Sequence, residues 1–173
     1  MTTRRGSVRH DIQLNCPPGD VWKLVGDPAR VHEWFPGIVS CTVEGDVRTV
    51  ITRSGLPMPE QLLTVDPVLR RIEYRITAPL FKEHLGTLDV HALDDGSSLV
   101  VYSTDADPAA LALVIGGAAR AALGQLPVAL GLRDGGDAAG AHSAGPNSAG
   151  VHSGAMDPAV GDPGPAGRTE GGR

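Results

Sequence analysis

The sequence predicts an α+β fold in which a seven-stranded antiparallel sheet wraps around one long C-terminal helix, with two short helices after the first strand. Three observations predict it. Short runs with apolar and polar residues in alternation are separated by Gly, Pro and Asp turn signals. Two short amphipathic stretches, each opened by proline, follow the first run. A single Ala/Gly-rich apolar stretch comes last, before the character of the chain changes.

Residues 8–14 alternate apolar and polar except at His10 and read as the first strand. Pro17, Pro18 and Asp20 open a short helix whose apolar stripe is Val21, Trp22, Leu24 and Val25. Asp27-Pro28 opens a second one, because an Asp side chain accepts the free amides of a first turn and proline is tolerated at the first helical position. Its apolar side is Val31, Trp34 and Phe35, and Pro36-Gly37 stops it. Six strand-like runs follow at 38–43, 47–53, 61–65, 71–77, 84–93 and 99–104. Glu44-Gly45-Asp46 and Asp94-Asp95-Gly96 are hairpin signals, and Asp66-Pro67 is a turn.

The last element starts at Asp107-Pro108 and runs to about Gln125, before Pro127, with Val114, Ala118 and Ala122 on one face. Two short helices cannot cover a seven-stranded sheet, so the long helix is expected in the sheet's concave face. That arrangement is a helix grip.

The domain is expected over residues 7–132, after a flexible start at 1–6 and before a disordered tail at 133–173. The tail is dominated by Gly, Ala, Ser, Pro and Asp and has no Leu, Ile or aromatic residue, so it cannot bury enough apolar area to offset the entropy of ordering it. His142 and His152 within it lack a third donor and read as solvated side chains rather than a metal site.

Charge and motifs narrow the function. A net charge of -5, with no basic cluster beyond Arg4-Arg5 and Arg70-Arg71, argues against phosphate recognition and so against nucleic acid. Cys16 and Cys41 have neither CxxC spacing nor nearby His ligands, which points to reduced thiols and a cytoplasmic setting. The first residues lack the apolar stretch of a secretory signal, and the 108–126 run is broken by Arg120 and Gln125, so a buried helix rather than a membrane span is expected. No nucleophile elbow, phosphate loop, dinucleotide fingerprint or HExxH occurs, and neither a metal nor a cofactor is expected.

Over about residues 7–130 the chain resembles the polyketide cyclase/dehydrase branch of the START-like, Bet v 1-like superfamily. The residues that carry the resemblance are Pro18-Gly19-Asp20-Val21-Trp22, Asp27-Pro28-Ala29-Arg30-Val31-His32-Glu33-Trp34 and the Asp107-Pro108-Ala109-Ala110 start of the last helix. Locally, Ser54-Gly55-Leu56-Pro57 is similar to the gate loop of the plant abscisic acid receptors of the same superfamily. Ile38-Val39-Ser40-Cys41 resembles their second strand, and Glu83-His84-Leu85 part of their latch. The receptors' ligand-holding lysine on that strand is Val39 here, which argues against the same ligand. The resemblance implies a cavity under a lid, whereas the residues alone fit a lid or an ordinary tight connection equally well.

In that register Val39, Cys41, Val50 and Thr52 face inward, and Tyr74 alternates with Arg71, Glu73 and Arg75, which face out. His84 and Leu88 share the inner face of the next strand, and for the seventh strand the pattern leaves the Val101 and Tyr102 faces open. Only six aromatic residues occur, and Gly and Ala crowd the last helix, so the sheet and helix are expected to enclose a hollow. The expected lining is Trp34, Val39, Cys41, Val50, Thr52, Leu56, Met58, Glu60, Tyr74, His84, Leu88, Val101, Val114, Ala118 and Ala122.

Glu60 and His84 are the candidate acid/base pair, and Arg53 is expected at the surface. The leading expectation is binding of a small, mostly hydrophobic molecule. The alternatives are a polyketide cyclase, aromatase or dehydratase acting on such a molecule, and a ligand-gated interaction module.

Overall fold

The computed structural model describes residues 5–132 and the backbone of residues 138–139. The elements in order are β1 (Gly6–Leu14), α1 (Pro18–Val25), a 3₁₀ helix (Pro28–Glu33), β2 (Ile38–Glu44), β3 (Val47–Thr52) and β4 (Pro57–Asp66). They continue with β5 (Arg71–Ile76), β6 (Glu83–Ala92), β7 (Ser98–Asp107), α2 (Ala109–Ala129) and the two-residue β8 (Ala138–Ala139). The sheet is antiparallel with strand order β2-β3-β4-β5-β6-β7-β1-β8. The seven main strands, two short helices and long last helix are those the sequence predicts. The expected tail at 133–173 lies outside the described residues apart from β8, which pairs with Gln13 and Leu14.

The Asp27 side chain accepts from the amide of Ala29 at 3.0 Å, as the capping pattern predicts. Asp107 makes no such cap: it ends β7, and the residue before α2 is Pro108 with no side-chain hydrogen bond at the helix start. The helix also runs past Pro127. A proline in the last turn removes only one amide donor, and the buried Leu126 beside it rewards keeping that turn in place.

Helix α2 is long and apolar enough to cross a membrane by length and composition alone. Here it packs along β1 and β7. The buried positions Ala112, Gly116, Ala119, Leu123 and Leu126 recur at alternating steps of four and three, one stripe of a helix. The expected face through Val114 is therefore rotated: Val114 is 65% exposed, whereas Ala122 is fully buried in the core.

Small residues set the approach of helix to sheet. A Cβ on Gly116 would lie 2.6 Å from Cγ1 of Val8, and one on Gly6 would lie 2.7 Å from the carbonyl oxygen of Ala109. Glycine at both positions lets the backbones come close where the helix crosses β1. Leu14, Val21, Val25, Val90, Val100 and Leu126 are among the most fully buried side chains of the core.

Candidate functional site

Between α2 and the inner faces of β3, β4, β5 and β7 the side chains do not meet, leaving a cavity of about 240 Å³. Alternation places Arg48, Val50 and Thr52 of β3, Met58 and Glu60 of β4, Tyr74 and Ile76 of β5 and Tyr102 of β7 on its walls. Val31 and the segment from Phe35 to Ile38 form another wall, and Ile115 and Ala118 of α2 close it. Phe35, Ile38, Met58, Ile115 and Ala118 are only half-buried and mark the mouth.

The polar part of the cavity is a connected group of four side chains. Arg48 and Glu60 stand directly opposite each other across β3 and β4. Nε of Arg48 donates to Oε2 of Glu60 at 2.6 Å, and both residues are buried. The guanidinium carbon lies 4.8 Å from the centre of the Tyr74 ring, over its π face. The Tyr74 and Tyr102 hydroxyls share a hydrogen bond of 2.7 Å. Gly86, opposite Tyr74 on β6, makes room for that ring, since a Cβ there would overlap it.

Burial governs the protonation of this group. It raises the pKa of the Glu60 carboxyl, opposed by the charge and hydrogen bond of Arg48. For Arg48 burial acts to lower the pKa, but the facing Glu60 charge and the tyrosines outweigh it and the guanidinium stays charged. Burial pushes Tyr102 up to about 12 and Tyr74 well above the usual phenol value, so both remain hydroxyl donors at neutral pH.

The expected Glu60/His84 pair is not formed. Glu60 sits opposite Ile76 in the β4–β5 register, and His84 lies beyond β5, where its Nδ1 accepts the Ile76 amide at 3.1 Å. The imidazole is packed between Tyr74 and Phe81, with ring centres 5.4 Å from each. Its Nε2 has no hydrogen-bond partner among the described residues. Burial lowers its pKa to about 4, with Asp105 opposing, so the ring is neutral at pH 7.

Of the other residues expected in the lining, Val50, Thr52, Met58, Glu60, Tyr74 and Ala118 line the cavity. Val39, 54% exposed, does not, because a β-bulge between Ile38 and Ser40 shifts the alternation and leaves Ile38 facing in. Cys41 keeps an inward position but turns its thiol to the carbonyl of Pro28 at 3.5 Å, outside the cavity. Trp34 and Leu88 are consumed by the core. Val101 is on the outer face of β7, whose inner face carries the buried Val100, Tyr102 and Thr104.

Leu56 is 66% exposed at the tip of a tight connection. The connection is held by Thr52 N–H to the Leu56 carbonyl at 3.0 Å and Gly55 N–H to the Thr52 carbonyl at 2.8 Å, with Gly55 at φ +82°. Arg53 is exposed, as expected.

Sequence reasoning missed Arg48, Phe35, Ile38 and Ile115, and left Tyr102 open against Val101. Arg48 carried a signal: the register that turns Val50 and Thr52 inward also turns Arg48 inward, two residues earlier.

Residues 5–132 match the profile of the polyketide cyclase/dehydrase and lipid transport family. The chain belongs to this family. Its fold is shared by solved structures of low identity. XoxI from Bacillus cereus is 22% identical at TM-score 0.67, over 72% of this chain and 95% of that one. The Zhui aromatase/cyclase from a Streptomyces species is 20% identical at TM-score 0.59, over 74% and 93%. The di-domain ARO/CYC protein BexL is 22% identical at TM-score 0.62, over 73% of this chain and 46% of its own. No curated protein matches the chain. Among the described residues of this family member, no group of three His, Cys, Asp or Glu side chains is placed to hold a metal ion.

Proposed function

We propose that the chain binds a small, mostly apolar molecule that carries an oxygen function. The apolar body occupies the cavity, and the oxygen meets the Arg48 and Glu60 side chains. The buried Arg48–Glu60 pair carries this reading. It is the charged feature of a mostly apolar hollow, and among the described residues each partner's side chain uses a single hydrogen bond, to the other. Buried polar groups with spare donors and acceptors are costly unless water or a ligand completes them. The test is native mass spectrometry of protein from its own host, followed by calorimetric titration with the molecule recovered. Binding that survives filling of the cavity by Ala118→Phe would refute the assignment.

A second reading, conversion of such a molecule by cyclisation or dehydration, is favoured by family membership and by the raised proton affinity of Glu60. Glu60 is then the proton carrier, since burial raises the proton affinity of its carboxyl against the opposing charge of Arg48. Tyr74 and Tyr102 serve as hydroxyl donors that orient the substrate oxygen. Glu60→Gln separates the readings: a catalyst keeps affinity within a few-fold and loses turnover, whereas a carrier changes only in affinity or selectivity.

A further inference from the structure

A second hollow of about 230 Å³ lies beside the first and shares with it the wall from Phe35 to Ile38. Its other edges are the end of the 3₁₀ helix, Arg53 after β3, and Gln125 and Val128 of α2. The two hollows differ in charge balance. In the inner cavity Arg48 is already matched by Glu60, so the pair is neutral, and an anion pushed in would lie beside Glu60 with no counter-charge of its own.

In the outer groove the one carboxylate among the described residues, Glu33, is taken by Arg30 through contacts of 2.7 and 2.8 Å. Arg53 is exposed there and its guanidinium has no hydrogen bond or ion pair among the described residues. Its position is fixed at the shared wall, because its peptide N–H donates to the carbonyl of Gly37 at 2.7 Å.

We infer that the ligand is an amphipathic carboxylic acid, its apolar body in the inner cavity and its carboxylate outside, on Arg53 in the adjoining groove. This rests on the cavity reading and adds the charge and its location. A guanidinium fits a carboxylate through parallel N–H donors, and Gln125 and His32 line the same groove as further polar contacts. The charge need not be buried, which avoids the desolvation that the inner cavity would impose.

The test is calorimetric titration at low ionic strength with naphthylbutanoate and its methyl ester, on the full chain and on Arg53→Ala, Arg53→Lys and Ala118→Phe. The wild type is expected to prefer the acid. Arg53→Ala is expected to weaken the acid about three- to five-fold, the scale of one exposed ion pair, and to leave the ester unchanged. Arg53→Lys should keep part of the preference, since the charge stays while the paired N–H donors are lost, and added salt should erode it.

Equal binding of acid and ester by the wild type, or equal effects of Arg53→Ala on both, overturns the inference. If Ala118→Phe still abolishes binding in that case, the cavity reading stands. Acid binding that ignores Ala118→Phe also overturns the inference, because the anion is then held without the body in the cavity. Failure of both probes to bind overturns the inference, and the cavity reading is then decided by titration with the molecule recovered from the host.

Discussion

Nε of Arg48 and Oε2 of Glu60 are 2.6 Å apart on facing strands, with side-chain exposures of 5% and 6%. Removing one member of such a pair leaves the other charge in low dielectric without a partner. Arg48→Met is therefore expected to cost about 3–5 kcal/mol in denaturant unfolding. The double change Arg48→Met with Glu60→Leu removes both charges and is expected to be near neutral or stabilising. A single change as mild as the double one would show that the two side chains are not an energetic unit.

His84 predicts the acid behaviour of the fold. Its pKa falls to about 4 in the folded chain from 6.5. Between those values the unfolded chain binds more protons, so this residue makes stability fall as pH drops below 6.5 and makes it level off below about 4. The full contribution is about 3 kcal/mol. Glu60 acts with the opposite sign: its raised pKa makes the folded chain hold a proton above 4.5, so its contribution declines as pH rises through that range. The measurement is thus a difference. His84→Gln keeps an acceptor for the Ile76 amide and is expected to flatten the pH dependence relative to wild type between pH 6.5 and 4. Parallel stability curves would show that the imidazole does not titrate as its burial implies.

How much of this was legible in the sequence follows from which forces are local. The succession of strands along the chain and the two short helices were legible because period-2 alternation, Asp27 as a cap and the Gly/Asp turns are local signals. The inward set on β5 was legible for the same reason, since Arg71, Glu73 and Arg75 alternate with Ile72, Tyr74 and Ile76. Val39 failed because a bulge is a pairing irregularity between two strands and leaves no mark on one strand's pattern. Val114 failed because the helix is apolar on nearly every side, Arg120 and Gln125 apart, so periodicity does not choose a face and the close approach of Gly116 to Val8 does. The Glu60/His84 pairing failed because partner choice depends on register across β3, β4 and β5, and Arg48 is opposite Glu60 in that register.

The helix approach yields paired substitutions of opposite sign. Gly116→Val would drive a side chain into Val8, where even a Cβ comes within 2.6 Å of Cγ1, and is expected to cost about 1–3 kcal/mol as α2 lifts from β1. Gly124 on the same helix has open space around its would-be Cβ. Gly124→Ala should stabilise by about 0.5–1 kcal/mol through the lower backbone entropy of alanine in the unfolded chain. Thermal unfolding of the two variants checks both signs. A stabilising Gly116→Val would mean that the helix does not seat on β1 as closely as described.

The cavity itself is tested at Ala118, which lines it from the helix side and is only half-buried. A larger apolar side chain there has space to enter, so Ala118→Leu is expected to leave the unfolding midpoint unchanged or to raise it. In a filled core the same change forces side chains off their rotamers and costs about 1–3 kcal/mol. Ala122, four residues on and fully buried, is the control: Ala122→Leu should carry that overpacking cost. Because Leu at position 118 occupies volume the ligand needs, it should also weaken uptake of any apolar probe, while the folded state persists by circular dichroism. Destabilisation of Ala118→Leu equal to that of Ala122→Leu would count against the hollow whatever the ligand is, since both positions would then face packed atoms.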